Sequence, residues 1–122
     1  MTAMVTIERA GPMVSLQDLG RPGFISLGLS VGGAMDRLAL LEAAALLGLP
    51  RPIAAMEMAG MGLSLRVDSA VRFALTGAPM AAQIDGTALA WNASHTLAPG
   101  QKLSVAGVLS GSYGYLTFAG GI

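Results

Sequence analysis

The sequence of 122 residues predicts one mainly β domain with a single main helix. Short apolar segments, many of them alternating with period two, predict strands, and glycines and prolines between them predict turns. One segment rich in Leu and Ala, with capping residues at both ends, predicts the helix. Hydrophobic residues make up 53% of the chain and charged residues 11%, which favours an interior-rich domain and excludes disorder.

The N-terminal segment predicts two short strands followed by a loop. Met4–Glu8 alternates polar and apolar residues, and Met13–Leu16 follows a Gly-Pro turn. Gln17–Gly23 contains two glycines and a proline within four residues, which breaks regular structure. Phe24–Leu29 is a further candidate strand.

The main helix is predicted over Arg37–Leu47. Asp36 is a suitable N-cap because its carboxylate can accept hydrogen bonds from the first turn. Gly48 can adopt the left-handed C-cap conformation, and Pro50 prevents the helix from continuing. Since the helix is apolar on nearly every face, we expect it to be buried or covered by a partner.

A series of strands is predicted after Pro52. The candidates are Ala55–Met58, Gly62–Val67, Val71–Leu75, Met80–Ile84, Ala88–Asn92, His95–Leu97, Lys102–Val108 and Tyr113–Ala119. Asp85-Gly86 predicts a two-residue hairpin turn, and Pro99-Gly100 predicts a type II turn. Short strands at this spacing favour a barrel or a sandwich. The final strand is followed by Gly120-Gly121, so we expect the sequence to end inside a domain.

Composition excludes several classes of function. The net charge of zero offers no basic surface for nucleic acid. The absence of cysteine excludes disulfides, thiolate metal sites and Cys catalysis, and suits a cytoplasmic protein. The N-terminus lacks the apolar core of a signal peptide, and the longest apolar run, 38–49, is too short to span a membrane. A lone histidine, His95, predicts no metal cluster, and we expect it on a strand surface.

An ordered set of short motifs resembles the allophanate hydrolase subunit 2 family, which includes the carboxyltransferase domain of urea carboxylase and the C subunit of prokaryotic 5-oxoprolinase. The motifs occur in the family's order across nearly the whole chain. They are Val14–Arg21, Gly32–Asp36, Met56–Met58, Leu75–Ala78, Asp85-Gly86, Tyr115-Leu116 and Gly120–Ile122. One departure is Tyr113, which stands where the family usually has Arg.

The resemblance implies a cyclophilin-like β-barrel that forms the N-terminal half of a two-barrel domain. It also implies a component of an ATP-dependent amide-hydrolysing or carboxyl-transferring complex, of the 5-oxoprolinase or allophanate hydrolase/urea carboxylase type. The substrate would be a small amide or lactam, and the partner a subunit 1-like barrel protein. The sequence has neither a phosphate-binding P-loop nor a biotin-accepting lysine, so we expect the ATP-binding and biotin-accepting functions to reside elsewhere in the complex, in which ATP or carboxybiotin is a possible cofactor. We expect the chain alone to be inactive.

The first candidate site is the predicted loop that contains Gln17, Asp18 and Arg21. Arg21 could bind a carboxylate or phosphate through its planar guanidinium, and Asp18 could orient Arg21 or a substrate amide. The alternative is an Asp–Arg pair that only pins the loop.

Two further candidates lie around the helix and in the strand that follows it. Gly32 and Gly33 precede the helix, where backbone N–H groups favour an anion such as bicarbonate, carboxybiotin or a carboxylate. Asp36 competes for the same donors, and an ordinary capped turn is preferred. Glu57 lies between two methionines in a predicted strand. It is either a carboxylate with a raised pKa that serves as a general acid or base, or a side chain pointing at solvent.

Association is predicted from apolar surface and zero net charge. The final strand carries no charged residue to protect an unpaired edge, so we expect it at the interface of a homo-oligomer or of a complex with the barrel partner. A non-catalytic alternative is a regulatory or interaction subunit that binds a barrel partner or a kinase inhibitor. Both interpretations remain open from the sequence.

Overall fold

A computed structural model describes residues 4–11, 13–17 and 36–120 of the chain. Within these ranges one helix and ten strands are present. They are β1 (Val5–Ala10), β2 (Val14–Gln17), α1 (Arg37–Leu47), β3 (Ala55–Ala59), β4 (Leu63–Val67), β5 (Val71–Gly77), β6 (Met80–Ile84), β7 (Thr87–Ala88), β8 (Ala93–Leu97), β9 (Lys102–Val108) and β10 (Tyr113–Phe118). The predicted strand Phe24–Leu29 lies outside the described residues.

The strands form two antiparallel sheets that enclose the core. Sheet 1 has the order β1-β4-β9-β6-β7, and sheet 2 has the order β2-β3-β10-β5-β8. The main core cluster takes Leu65 and Val105 from sheet 1 and Met58, Phe73 and Leu116 from sheet 2, all fully buried. The chain is therefore mainly β, as predicted, in the arrangement of a partial cyclophilin-like barrel. The second barrel remains a prediction.

Helix α1 has the predicted bounds and both predicted caps. The Asp36 side chain accepts a hydrogen bond from the Ala39 backbone N–H, and Gly48 adopts a left-handed conformation with a φ of 69°. The buried face of α1 packs on the outer face of sheet 2, where Ala39 and Leu40 contact Ala55 and Tyr115. The helix thus covers part of the side of sheet 2 that faces away from the core, over β5, β8 and β10.

The Asp85-Gly86 hairpin is confirmed, whereas the strand predicted after it is shorter. Both turn residues have positive φ, 48° and 86°, and join β6 to β7. The predicted strand Ala88–Asn92 ends at Ala88, because the Trp91 indole N–H donates to the Gly77 carbonyl at 3.0 Å and Asn92 turns left-handed with a φ of 53°. Asn tolerates this conformation better than most residues.

The prediction that the final strand forms an exposed edge is wrong. β10 lies in the middle of sheet 2, hydrogen-bonded to β3 on one side and to β5 on the other. Its Leu116 side chain is 0% exposed. The order of strands in a sheet is set by pairing between distant segments, so the last strand in sequence need not be the last in space.

Candidate functional site

A row of polar side chains crosses the outer face of sheet 2, the face on which α1 packs against β5, β8 and β10. Ser15 pairs with Glu57, Glu57 pairs with Tyr115, and Tyr115 pairs with Thr76 in adjacent antiparallel strands. Residues directly opposite one another in antiparallel strands project from the same face. The four side chains therefore lie side by side, and we call them the polar row.

Glu57 is the buried acid of the polar row. The period-two alternation places Met56 and Met58 in the core between the sheets and Glu57 on the opposite face. That face is covered, so Glu57 is only 6% exposed and the solvent-facing alternative is wrong. The Glu57 Oε2 atom accepts a short hydrogen bond from the Tyr115 hydroxyl. A buried carboxylate needs such donors, because burial removes it from water.

The Tyr115 hydroxyl joins Glu57 to the start of α1. It donates to Glu57 and accepts a hydrogen bond from the Asp36 backbone N–H at 2.8 Å. Asp36 in turn caps the helix, with its Oδ1 atom 3.1 Å from the Ala39 N. The Thr76 hydroxyl donates to the Ala39 carbonyl at 2.8 Å. The polar row and the first turn of the helix thus form one hydrogen-bonded unit.

The environment keeps the Tyr115 hydroxyl protonated. Burial raises the pKa of Tyr115 well above its ordinary value of about 10, and the hydrogen bond to Glu57 raises this pKa further. The backbone N–H of Asp36 lowers the pKa by a smaller amount. Tyr115 therefore acts as a fixed hydrogen-bond donor to the carboxylate at physiological pH.

The predicted residue Gln17 lies at the open end of the polar row. Its side-chain Nε2 donates to the Ser15 hydroxyl at 3.1 Å. Ser15 is exposed on β2, an edge strand of sheet 2, and it is the cross-strand neighbour of Glu57. A small ligand could approach the polar row from this side, where hydroxyl and amide groups are available.

The other predicted site residues have different outcomes. Asp36 is a helix cap, in agreement with the preferred prediction for it. Asp18, Arg21, Gly32 and Gly33 lie outside the described residues, so their roles remain predictions.

Sequence reasoning missed Tyr115 and Thr76 as members of the site. A signal for Tyr115 was present, since a tyrosine in a central apolar strand needs a partner for its hydroxyl. The partner itself, Glu57, lies 58 residues away in sequence. Only the register of β3 against β10 brings the two together.

His95 lies on the strand next to the site but has a structural environment. It is half-buried, its ring centroid is 5.6 Å from that of Phe73, and its Nε2 is 2.9 Å from the Ala90 carbonyl oxygen. Among the residues described, no group of three potential ligands could hold a metal ion. None of the described helices is long and apolar enough to cross a bilayer.

The domain consists of two packed sheets and one helix that is hydrogen-bonded to a buried Glu–Tyr pair, and its family match assigns this β-barrel domain to the carboxyltransferase class. The chain matches the family described as carboxyltransferase domain, subdomain A and B, over residues 27–122, and it belongs to that family.

Two curated relatives and one solved structure illustrate the similarity. The chain is 34% identical over 118 residues to the 5-oxoprolinase C subunit of Haemophilus influenzae, covering 97% of this chain. It is 36% identical over 119 residues to the 5-oxoprolinase C subunit of Escherichia coli, covering 98% of this chain. The chain spans 38% of the length of each of these relatives. The urea amidolyase of K. lactis superposes with a TM-score of 0.88 at 27% identity, over 97% of this chain and 7% of that one.

Proposed function

We propose that this chain is a component of a complex that hydrolyses or carboxylates a small amide or lactam, of the 5-oxoprolinase or allophanate hydrolase/urea carboxylase type. The observation that carries the proposal is the buried Glu57 carboxylate held by the Tyr115 hydroxyl. Two curated relatives are 5-oxoprolinase subunits, and a structural neighbour is a urea amidolyase.

In this proposal Glu57 accepts a hydrogen bond or a proton from the substrate amide N–H. A carboxylate held in one orientation is suited to this role, because catalytic proton transfer requires hydrogen-bond distance and a fixed geometry. Tyr115 is a positioning residue, since its hydroxyl is already used by Glu57 and by the Asp36 N–H. Gln17 lies at the exposed end of the polar row, where it would contact the substrate.

The loop residues complete the proposed site. Asp18 directly follows Gln17 in sequence, and Arg21 lies three residues further on. An arginine there would bind a substrate carboxylate through two parallel hydrogen bonds. Gly32 and Gly33 would offer backbone N–H groups to an anionic part of the substrate.

The polar row does not fit ATP or carboxybiotin as a resident cofactor. Its titratable groups, Glu57 and Tyr115, and the neighbouring Asp36 are all acids, so they offer no positive charge to a phosphate or carboxylate. We therefore propose that ATP and the biotin carrier are held by another part of the complex, in the cytoplasm, and that Arg21 and the Gly32-Gly33 segment supply the contacts to anionic groups at this site.

A partner is proposed to be required for activity, and a subunit 1-like barrel is the expected one. The outward face of α1 exposes Leu38 to 63% and Leu41 to 48%, which favours contact with another protein or with a second copy of the chain. The same surface favours the second candidate function, in which the chain is a non-catalytic regulatory subunit that binds a barrel partner or a kinase inhibitor.

Reconstitution distinguishes the two functions. The purified chain is mixed with a subunit 1-like barrel protein and the remaining subunit of a 5-oxoprolinase-type complex, and ATP-dependent loss of 5-oxoproline or urea is measured. The catalytic proposal predicts turnover by the mixture and none by the chain alone. Turnover that is unchanged when this chain is omitted would contradict it, whereas binding to the partner without turnover would favour the regulatory function.

A further inference from the structure

The outer face of sheet 1 carries a groove that the proposed function does not use. Its volume is about 610 Å³, within the range of roughly 300–1,000 Å³ typical of small-molecule sites. It lies on the opposite sheet from Glu57 and the polar row. The residues that form it come mainly from β6, β9 and the segment after β7.

The floor of the groove is built from alanine and serine side chains and one glutamine. Gln83 pairs with Ser104 on one side and with Ala88 on the other, so these three residues face outward together. Ala81 and Ala106 lie beside them, and both are exposed. Short side chains allow a ligand to approach the sheet closely, while the Ser hydroxyl and the Gln amide offer hydrogen bonds.

The walls are apolar, and one of them is held rigidly. Trp91 lines the groove, and its indole N–H is fixed by a hydrogen bond to the Gly77 carbonyl at 3.0 Å. Leu109 lines the groove and is 70% exposed. A fixed aromatic ring beside an exposed leucine favours a ligand with a planar or otherwise apolar body.

A register shift in β1 supplies a cation to the groove. Between Ile7 and Arg9 the pairing with β4 shifts by one residue, as in a β-bulge. Ile7 pairs with the core residue Leu65, whereas Arg9 pairs with Ser64 and so projects from the outer face. Without the shift, period-two alternation would place Arg9 on the same face as Ile7. Bulges commonly redirect a side chain in this way.

Arg9 is left available because its neighbour Glu8 is already engaged. Glu8 forms ion pairs with Arg66 at 3.2 Å and with Lys102 at 3.7 Å. Within the described part of the chain, the Arg9 guanidinium makes no hydrogen bond or ion pair, and no acidic residue lines the groove with it. A guanidinium in this position is suited to a carboxylate, which it can bind through two N–H groups.

We propose that this groove binds a small monocarboxylate with a planar or apolar body. Its carboxylate pairs with Arg9, its body packs against Trp91 and Leu109, and Gln83 and Ser104 satisfy remaining polar groups. This site is separate from the polar row, and its existence does not depend on the proposed function.

Trp91 makes the test direct, because it is the only tryptophan in the chain. Its fluorescence is followed while the full chain is titrated with 3-phenylpropionate and, separately, with the neutral 3-phenylpropionamide. We expect saturable change with both probes and about tenfold weaker binding of the amide, since it lacks the charge that pairs with Arg9.

Three variants complete the test, each checked for folding by circular dichroism. Arg9→Gln is expected to reduce carboxylate affinity to that of the amide and to leave amide affinity unchanged. Arg72→Gln, an exposed arginine on β5 of the other sheet, is the matched control and is expected to bind like the parent. Ala106→Leu is expected to fill the groove and weaken both probes. The proposal is overturned if Trp91 fluorescence does not respond, if acid and amide bind equally to the parent, or if Arg9→Gln binds the acid normally.

Discussion

Replacing Tyr115 by Phe tests how strongly the polar row is tied to the helix. The substitution leaves the ring in place and removes only one oxygen atom, so the change in packing volume is small compared with the loss of two hydrogen bonds. Glu57 loses a donor, which costs about 1.5–3 kcal/mol when the acceptor is buried and charged. The half-buried Asp36 N–H loses its acceptor, which costs about 0.5–1 kcal/mol. We expect the free energy of unfolding to fall by about 2–4 kcal/mol, a large part of the usual total of about 5–15 kcal/mol.

Urea unfolding followed by Trp91 fluorescence measures this loss. Tyr113→Phe is the matched control, because the Tyr113 side chain lies two residues earlier on the same strand and its hydroxyl makes no hydrogen bond to any residue that the structure describes. We expect the control to change stability by less than about 0.5 kcal/mol. Equal losses in the two variants, or a Tyr115→Phe variant as stable as the parent, would refute the reasoning.

Three further predictions use the same unfolding measurement. The pKa of Tyr115 is raised in the folded state, so its contribution to stability is complete below pH about 10 and is lost as the pH rises further. The free energy of unfolding should therefore fall less steeply above pH about 10 in Tyr115→Phe than in the parent. Thr76→Val should lower the free energy of unfolding by about 1 kcal/mol, because it removes the hydrogen bond to the Ala39 carbonyl of the helix. Thr117→Val should be neutral or stabilising, since no described group pairs with the buried Thr117 hydroxyl. The opposite order would count against the role of Thr76 in the hydrogen-bonded unit. Gly62→Ala should lower the free energy of unfolding by about 1–3 kcal/mol, because the new Cβ would lie 2.3 Å from the Val105 carbonyl oxygen. Gly107→Ala, whose nearest contact would be at 3.5 Å, should be tolerated. Similar effects at the two sites would disprove this account.

Local features of the fold were predictable from the sequence. The helix bounds, the Asp36 and Gly48 caps and the Asp85-Gly86 turn depend on residues close together in the chain, and the structure confirms them. The end of β7 was less predictable, because the hydrogen bond from Trp91 to Gly77 joins segments that are 14 residues apart.

The candidate site was predictable only in part, for a physical reason. Alternation around Glu57 indicates that it faces away from Met56 and Met58, but not whether water or a helix lies on that side. Whether that face is covered depends on contacts between segments that are distant in sequence, such as those of α1 with β5, β8 and β10. The same limit explains why β10 was placed at an edge, although it lies between β3 and β5.

The most direct test of the central claim is the turnover number of the reconstituted complex carrying Glu57→Gln in this chain. Glu42→Gln, an exposed glutamate on α1, is the control, and both variants are checked for normal unfolding and for assembly with the partner. We predict that Glu57→Gln lowers kcat by about 100-fold or more, as expected for loss of a general base, while the control retains full activity. A folded, assembled Glu57→Gln complex that turns over amide or lactam at the parent rate would contradict the account.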